Sequence, residues 1–259
     1  MSKSSSPAPE PVEYYVRGQS NRRREPLFAP KGTAWARGRM LAGGPCAQLL
    51  FRSSLASRLI ATWFKSPFSK GRIQKVIEQY DIDTSEFREP VTSFRCFNDF
   101  FTRRLKAAAR PFDDDPFILA CPADGRVYVQ PKLEAESLLL IKGSRLNIEE
   151  LLHPLQHMAR NFVHGSAAII RLAPCDYHRF HFPCGGRIAR TGESRGTYYP
   201  VHPHFLEQGV DILPRNRRCH TIMDSHYFGR LAVIEVGAFG VGSIVQTYTG
   251  DSAVKMREK

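Results

Sequence analysis

Arg171-Leu172-Ala173-Pro174-Cys175-Asp176-Tyr177-His178-Arg179-Phe180-His181-Phe182-Pro183 is the stretch on which the reading of this chain turns. It leaves a β-rich run, Ala167–Leu172, and is bracketed by two prolines, which predicts a turn feeding a strand. Histidines three residues apart share a face on a helical turn but point to opposite sides of a strand. Opposite-facing imidazoles can serve two separate tasks, and histidine suits proton transfer because its ordinary pKa lies near neutrality. Two hydrogen-bonded scaffold histidines are the plainer reading, and the residues alone leave both open. Cys175, His178, His181 and Cys184 are also zinc-compatible types. Their even, compressed spacing disfavours convergence from one short segment, and no metal site is assigned.

Working outward, short β-rich runs appear after Pro111 at Gly125–Val129, Leu138–Ile141, Leu231–Val236 and Ser243–Thr247, punctuated by Gly and Pro. Asn147 is placed to cap a short helix over Asn147–Leu152. Regular βαβ alternation and a Gly-rich phosphate loop are both missing, which disfavours a dinucleotide-binding sheet. Before Pro111 the pattern is helical. The periodicity predicts helices over 46–64, over 69–80 with Ser69 as cap, and over 93–105, where Phe94, Phe97, Phe101 and Leu105 form a stripe beside Phe100. The expected class is α+β: N-terminal helices followed by a mixed, largely antiparallel β core. The expected organisation is a disordered basic tail over 1–35, a helical membrane-associating region over 36–110 and a β-rich core over 111–259.

Composition narrows the function classes. Hydrophobic residues make up 42% of the 259 and charged residues 24%, enough for a buried core. No apolar run reaches the roughly 18 residues of a membrane span. The N-terminus lacks the apolar stretch of a secretory signal. The formal charge is +12, and residues 1–110 hold 20 Lys/Arg against 9 Asp/Glu, so the excess lies in the helical part. That distribution suits an anionic partner. Nucleic acid ranks below an acidic membrane surface because no nucleic-acid-binding motif accompanies the charge. Six cysteines scattered through a chain of this length do not form a disulfide scaffold.

Two further segments could carry chemistry. Asp124 in Pro122-Ala123-Asp124-Gly125 is, by itself, turn chemistry. Ser243, in the glycine-rich Val236–Ile244, does not sit in a nucleophile elbow and is read as a strand residue.

Taken together, FNDFFTRRLKAAARPFD (97–113), CPADGRV (121–127), IKGSRLNIEELL (141–152), RLAPCDYHRFHFPCGGRI (171–188), TYYPVHPHF (197–205) and DSHYFGRLAVIEVGAFGVGSI (224–244) resemble the phosphatidylserine decarboxylase family, in the family's order. DYHRFH with an upstream PADG is the specific combination. The resemblance implies a carboxy-lyase made as a proenzyme, which releases CO2 from phosphatidylserine to give phosphatidylethanolamine. A serine in a C-terminal Gly-Ser-Thr motif cuts the chain and becomes a pyruvoyl group, which forms a Schiff base with the substrate amine. By likeness, Asp124 and His181 activate that serine and His178 serves decarboxylation.

The implied partners are phosphatidylserine, an anionic membrane surface and the chain's own cleaved C-terminal α-subunit, with a homodimer left open and nucleic acid excluded. Leu49, Leu50, Phe51, Leu59, Trp63 and Phe64 are the expected apolar entry for acyl chains. Peripheral membrane association is expected, and the organelle, mitochondrial inner membrane or endomembrane, stays open. The sequence departs from the family in two places. His202 stands where the family has Asn. The self-cleavage motif does not occur before Lys259, so the pyruvoyl serine is expected beyond that residue and this stretch alone is expected to be inactive. The alternative is a non-catalytic anionic-lipid-binding relative that has lost self-processing.

Overall fold

The computed structural model describes residues 13–15, 22–24, 54–137, 139–141, 144–197, 216–238 and 243–258. The first two segments, β1 (Glu13–Tyr15) and β2 (Arg22–Arg24), pair antiparallel. The rest of the expected tail, residues 46–53 of the first expected helix, and His202 lie outside the described residues.

The helical part is built on aromatic packing. Helix α1 (Ser54–Lys65) stops just before Pro67, whose ring cannot continue it. Helix α2 (Arg72–Tyr80) buries Ile73, Val76 and Ile77 at i, i+3, i+4 spacing. It ends at Asp81, which takes up a left-handed conformation. Ser69 is not its cap. The residue sits one turn earlier, where its hydroxyl bonds the Phe64 and Ser66 carbonyls and accepts the Phe97 N–H at 2.8 Å. That bond ties the end of α1 to the start of α3.

Helix α3 spans only Phe97–Phe101, not 93–105. The chain leaves it because Arg103 turns inward, with its guanidinium 5.0 Å from the Phe87 ring and 4.9 Å from the Phe100 ring. Leu105 then bridges back to Phe87. Phe87, Phe94 and Phe100 pack edge-on or tilted at 6.0–6.2 Å, and with the apolar face of α2 they form one core.

The β part follows the expected class. Strands β3 (Arg126–Gln130) and β6 (Ala167–Arg171) pair antiparallel, with Arg126 opposite Arg171. Strands β4 (Leu139–Ile141) and β5 (Ser144–Leu146) form a hairpin. Helix α4 (Ile148–Leu152) begins with Asn147 and Glu150 in a reciprocal capping box, as the sequence indicates.

A four-stranded antiparallel sheet runs β10 (Ala253–Val254), β7 (Gly186–Ser194), β8 (Arg218–Ser225), β9 (Gly229–Val236). Of these only β9 was expected. β8 is buried on both faces from Arg218 to Met223, so no alternation marks it. β7 carries polar residues and glycines in place of β-formers. Residues 243–247, expected as a strand, run without regular structure. They are held instead by side chains: Gln246 Nε2 donates to Thr221 Oγ1 at 3.1 Å and to Glu235 Oε2 at 3.2 Å.

Candidate active site

Two irregular segments carry the expected site, and strands β3 and β6 deliver both. Asp124 lies in the turn entering β3; His178 and His181 lie in the loop leaving β6. Gly125 makes the turn possible. Its φ is +147°, and a Cβ there would lie 2.6 Å from the Arg171 carbonyl oxygen, so only glycine fits.

The loop is fastened at its start by Asp176. Its carboxylate accepts the Ala173 N–H at 2.6 Å and Arg126 Nη1 at 3.0 Å. From the other side, buried Arg103 donates to the Cys175 carbonyl at 2.8 Å, so the aromatic core reaches the loop directly. Further along, the loop backbone is stitched on two flanks. His181 N donates to the Pro122 carbonyl at 2.8 Å and Ala120 N to the Pro183 carbonyl at 2.8 Å. Phe182 exchanges bonds with Arg257 and Glu258 at 2.9 and 3.0 Å.

This extended backbone sends neighbouring side chains apart, as a turn feeding a strand should. Phe182 enters a core with Cys184, Ile188, Met223 and Val254. His181 lines a cavity of about 60 Å³ together with Lys106, Arg110, Tyr177 and Arg257. Arg110 is the link to Asp124: Nε lies 2.8 and 2.9 Å from the two carboxylate oxygens and Nη2 lies 2.7 Å from Oδ2. Its Nη1 reaches Glu86 at 2.9 Å. These bonds hold the guanidinium charged and push its pKa further up. Arg257, stacked 4.1 Å over Phe112, donates to the Arg110 carbonyl at 2.9 Å.

His178 occupies a different setting. Its ring stacks on Phe101 with centroids 3.8 Å apart and planes 24° apart. Nε2 lies 2.9 Å from the Ala173 carbonyl oxygen, which can only accept, so Nε2 carries the hydrogen. Burial holds the pKa down at about 4, aided by Arg103 and opposed by the Ala173 bond and by Asp124. The imidazole is therefore neutral at pH 7.

Asp124 and His181 are thus linked through Arg110, which binds the carboxylate and lines the His181 cavity, and through the Pro122 carbonyl, while His178 stacks on the aromatic core within electrostatic reach of Asp124. The residues that sequence reasoning passed over are Phe101, Arg103, Arg110 and Asp176. Each lies inside a quoted motif, but nothing in the spacing says what it touches. Among the described residues no group of three His, Cys, Asp or Glu side chains is placed to hold a metal. Cys184 is committed to the Phe182 core, and the five described cysteines are unbridged.

The chain is similar to known proteins over most of its length. The family model described as phosphatidylserine decarboxylase matches residues 97–259. A phosphatidylserine decarboxylase proenzyme of Fusobacterium nucleatum is 34% identical over 219 residues, covering 83% of this chain and 73% of that protein. The corresponding proenzyme of Ruminiclostridium cellulolyticum is 39% identical over 213 residues, 82% of this chain and 71% of its own length. That of Chlamydia muridarum is 38% identical over 205 residues, 79% and 68% respectively. With the DYHRFH loop and the PADG turn meeting in space, and with this breadth of likeness, the chain belongs to the phosphatidylserine decarboxylase family, a family of carboxy-lyases.

Proposed function

We propose that this chain converts phosphatidylserine to phosphatidylethanolamine and CO2 at an anionic membrane surface, using a pyruvoyl group made from a serine of its own proenzyme beyond Lys259. The observation that carries the reading is the His181 N–H bond to the Pro122 carbonyl, which lays the loop of both histidines against the turn of Asp124.

In self-processing, the hydroxyl of the serine is a weak nucleophile until a base takes its proton. His181 is the base, and the Asp124 carboxylate, held by Arg110, supplies negative charge near the imidazolium that forms. The residues fit a small carbonyl group: the cavity admits only a few non-hydrogen atoms, and its lining combines an imidazole with cationic Lys106, Arg110 and Arg257. When present, the pyruvoyl group supplies an electron sink for the bond that breaks as CO2 leaves. His178 handles the substrate proton. Nε2 is committed to Ala173, so Nδ1 is the atom that takes a proton from the substrate ammonium, freeing the amine to condense, and delivers a proton to the α-carbon once CO2 has left. The cleaved C-terminal α-subunit remains the partner of this chain.

Membrane association is read from α1 and the turn after it. Leu59 is 63% exposed and Phe68 is 89% exposed, beside Trp63 and among Arg58, Lys65, Lys70 and Arg72. Exposed apolar groups ringed by cations suit an acidic lipid interface. Among the described residues no helix is long and apolar enough to cross a membrane. Our reading is peripheral association, with Leu59 and Trp63 on the acyl-chain side; Phe64, expected there too, is half-buried against Phe97, and Leu49, Leu50 and Phe51 lie outside the described residues.

The test uses the full-length proenzyme. Asp124→Asn and His181→Ala are expected to stay uncut on a denaturing gel, and normal two-subunit processing would remove their roles. His178→Ala is expected to cut but to lose CO2 release from phosphatidylserine vesicles, and unchanged release would remove its role. Vesicle binding with neither cutting nor CO2 release in the wild type would leave the non-catalytic lipid-binding reading standing.

A further inference from the structure

We infer that Phe101 is a positioning residue for His178, fixing the imidazole plane so that the tautomer set by the Ala173 carbonyl presents Nδ1 to substrate. The inference rests on the assignment of His178 to decarboxylation and goes beyond it by naming what orients the ring.

Three observations carry it. The first is the contact itself: at 3.8 Å and 24° the two rings lie nearly face to face, so rotation about the His178 side chain would drive the imidazole into the phenyl ring. The second is that Phe101 is backed by the aromatic core. Its ring lies 6.1 Å from Phe97, which is packed 5.7 Å from fully buried Phe100 and 5.2 Å from Phe64. The third is the hydrogen-bond pattern. Nε2 is engaged by Ala173, and among the described residues nothing engages Nδ1.

Stacking and hydrogen bond therefore act on two different degrees of freedom. The carbonyl selects which nitrogen bears hydrogen, and the phenyl ring selects the plane in which the other nitrogen's lone pair points. A phenyl face attracts imidazolium, which favours protonation, whereas exclusion of water from that face opposes it. For His178 burial outweighs attraction, and the balance lies toward the neutral form. The other charged groups facing the ring are Arg103, which disfavours protonation, and Asp124, which favours it. Removing the phenyl ring admits water, so the titration should move up and the lone pair should lose its fixed aim.

The experiment compares wild type, Phe101→Ala, Phe101→Tyr and His178→Ala in the full-length proenzyme. It measures self-cleavage, kcat and KM for CO2 release from phosphatidylserine vesicles across pH, and histidine nitrogen-15 chemical shifts. For Phe101→Ala the expected result is normal cutting and unchanged KM. Its kcat should be lower by on the order of ten- to a hundred-fold, with the acid limb displaced to higher pH. Phe101→Tyr, which keeps the ring, should restore kcat and the acid limb.

Wild-type His178 should show the Nε2–H tautomer at neutral pH; the Nδ1–H tautomer there would overturn the inference even if Phe101→Ala fails to fold. An unchanged kcat and acid limb in Phe101→Ala would also overturn it. Undiminished CO2 release by His178→Ala would instead remove the underlying assignment, so the two failures are distinguishable.

Discussion

Arg110 grips Asp124 through both carboxylate oxygens, with every contact at 2.9 Å or less, and reaches Glu86 with its remaining nitrogen. The carboxylate expected to serve catalysis is thus already half of an ion pair whose other half lines the cavity of His181. Such a forked, charge-assisted pair fixes direction as well as charge.

Arg110→Gln should therefore destabilise the protein by about 2 kcal/mol, because it leaves a partly buried carboxylate without its charged partner. Arg110→Lys should recover only part of this, since an ammonium cannot form the fork. Urea midpoints for the two variants measure the effect; an unchanged midpoint for Arg110→Gln would show that the fork contributes nothing.

Arg103 joins the aromatic core to the histidine loop. It is buried between Phe87 and Phe100 and donates to the Cys175 carbonyl. Arg103→Met keeps most of the packing but removes the donor. We expect a loss of roughly 2–3 kcal/mol, together with faster hydrogen exchange over residues 173–178. Destabilisation with loop exchange at the wild-type rate would place the effect in the core alone.

Acid stability should depend on His178. A group whose folded pKa is held near 4, against an ordinary 6.5, contributes stability that is complete above pH 6.5 and disappears as the pH falls toward 4. The size is on the order of 3 kcal/mol at most. Buried His220, whose pKa is also lowered, chiefly by burial, acts in the same sense. Glu235 acts in the opposite sense, since burial pushes its carboxyl up to about 7 and its contribution fades as the pH rises from 4.5 through 7. His178→Gln should flatten the acid slope of the urea midpoint, and Glu235→Gln should steepen it. Parallel slopes in all three proteins would refute the assignment.

Vesicle binding should follow the cations around Trp63. Each Lys or Arg near an acidic lipid surface adds about 1 kcal/mol at low salt. Arg58→Gln combined with Lys65→Gln should weaken binding to phosphatidylserine vesicles by roughly ten-fold or more, and the difference should shrink as salt screens it. Equal binding by the double variant would return the positive charge to a solubility role.

What could be read in advance was what local chemistry dictates. Asn147 announced its helix because a capping side chain stands directly before the first helical residue. Ile73, Val76 and Ile77 announced theirs because one face of α2 is apolar. β8 stayed hidden because its polar residues are buried and satisfied by distant groups: His220 by the Leu151 carbonyl, Arg218 by that of Glu150, Thr221 by Tyr248. The third helix was drawn too long because Arg103 reads as an exposed surface residue, yet it is spent on aromatic faces. The site was legible as a set of motifs. Its geometry was not, since Arg110 meets Asp124 across 14 residues of chain and Arg103 meets Cys175 across 72.

The two-sided stitching of Phe182 has a consequence of parity. Consecutive residues on an extended backbone look opposite ways, so the count of residues between Asp176 and Pro183 decides which side chain meets the cavity and which meets the core. Inserting one residue after His178, with the downstream pairing kept, would leave the Arg257 and Pro122 bonds in place but displace His178 from Phe101. Deleting one between His181 and Pro183 would swing the imidazole into the space that a phenylalanine fills against Tyr248. Odd changes of length in this loop exchange solvent side for core side, and even changes preserve it.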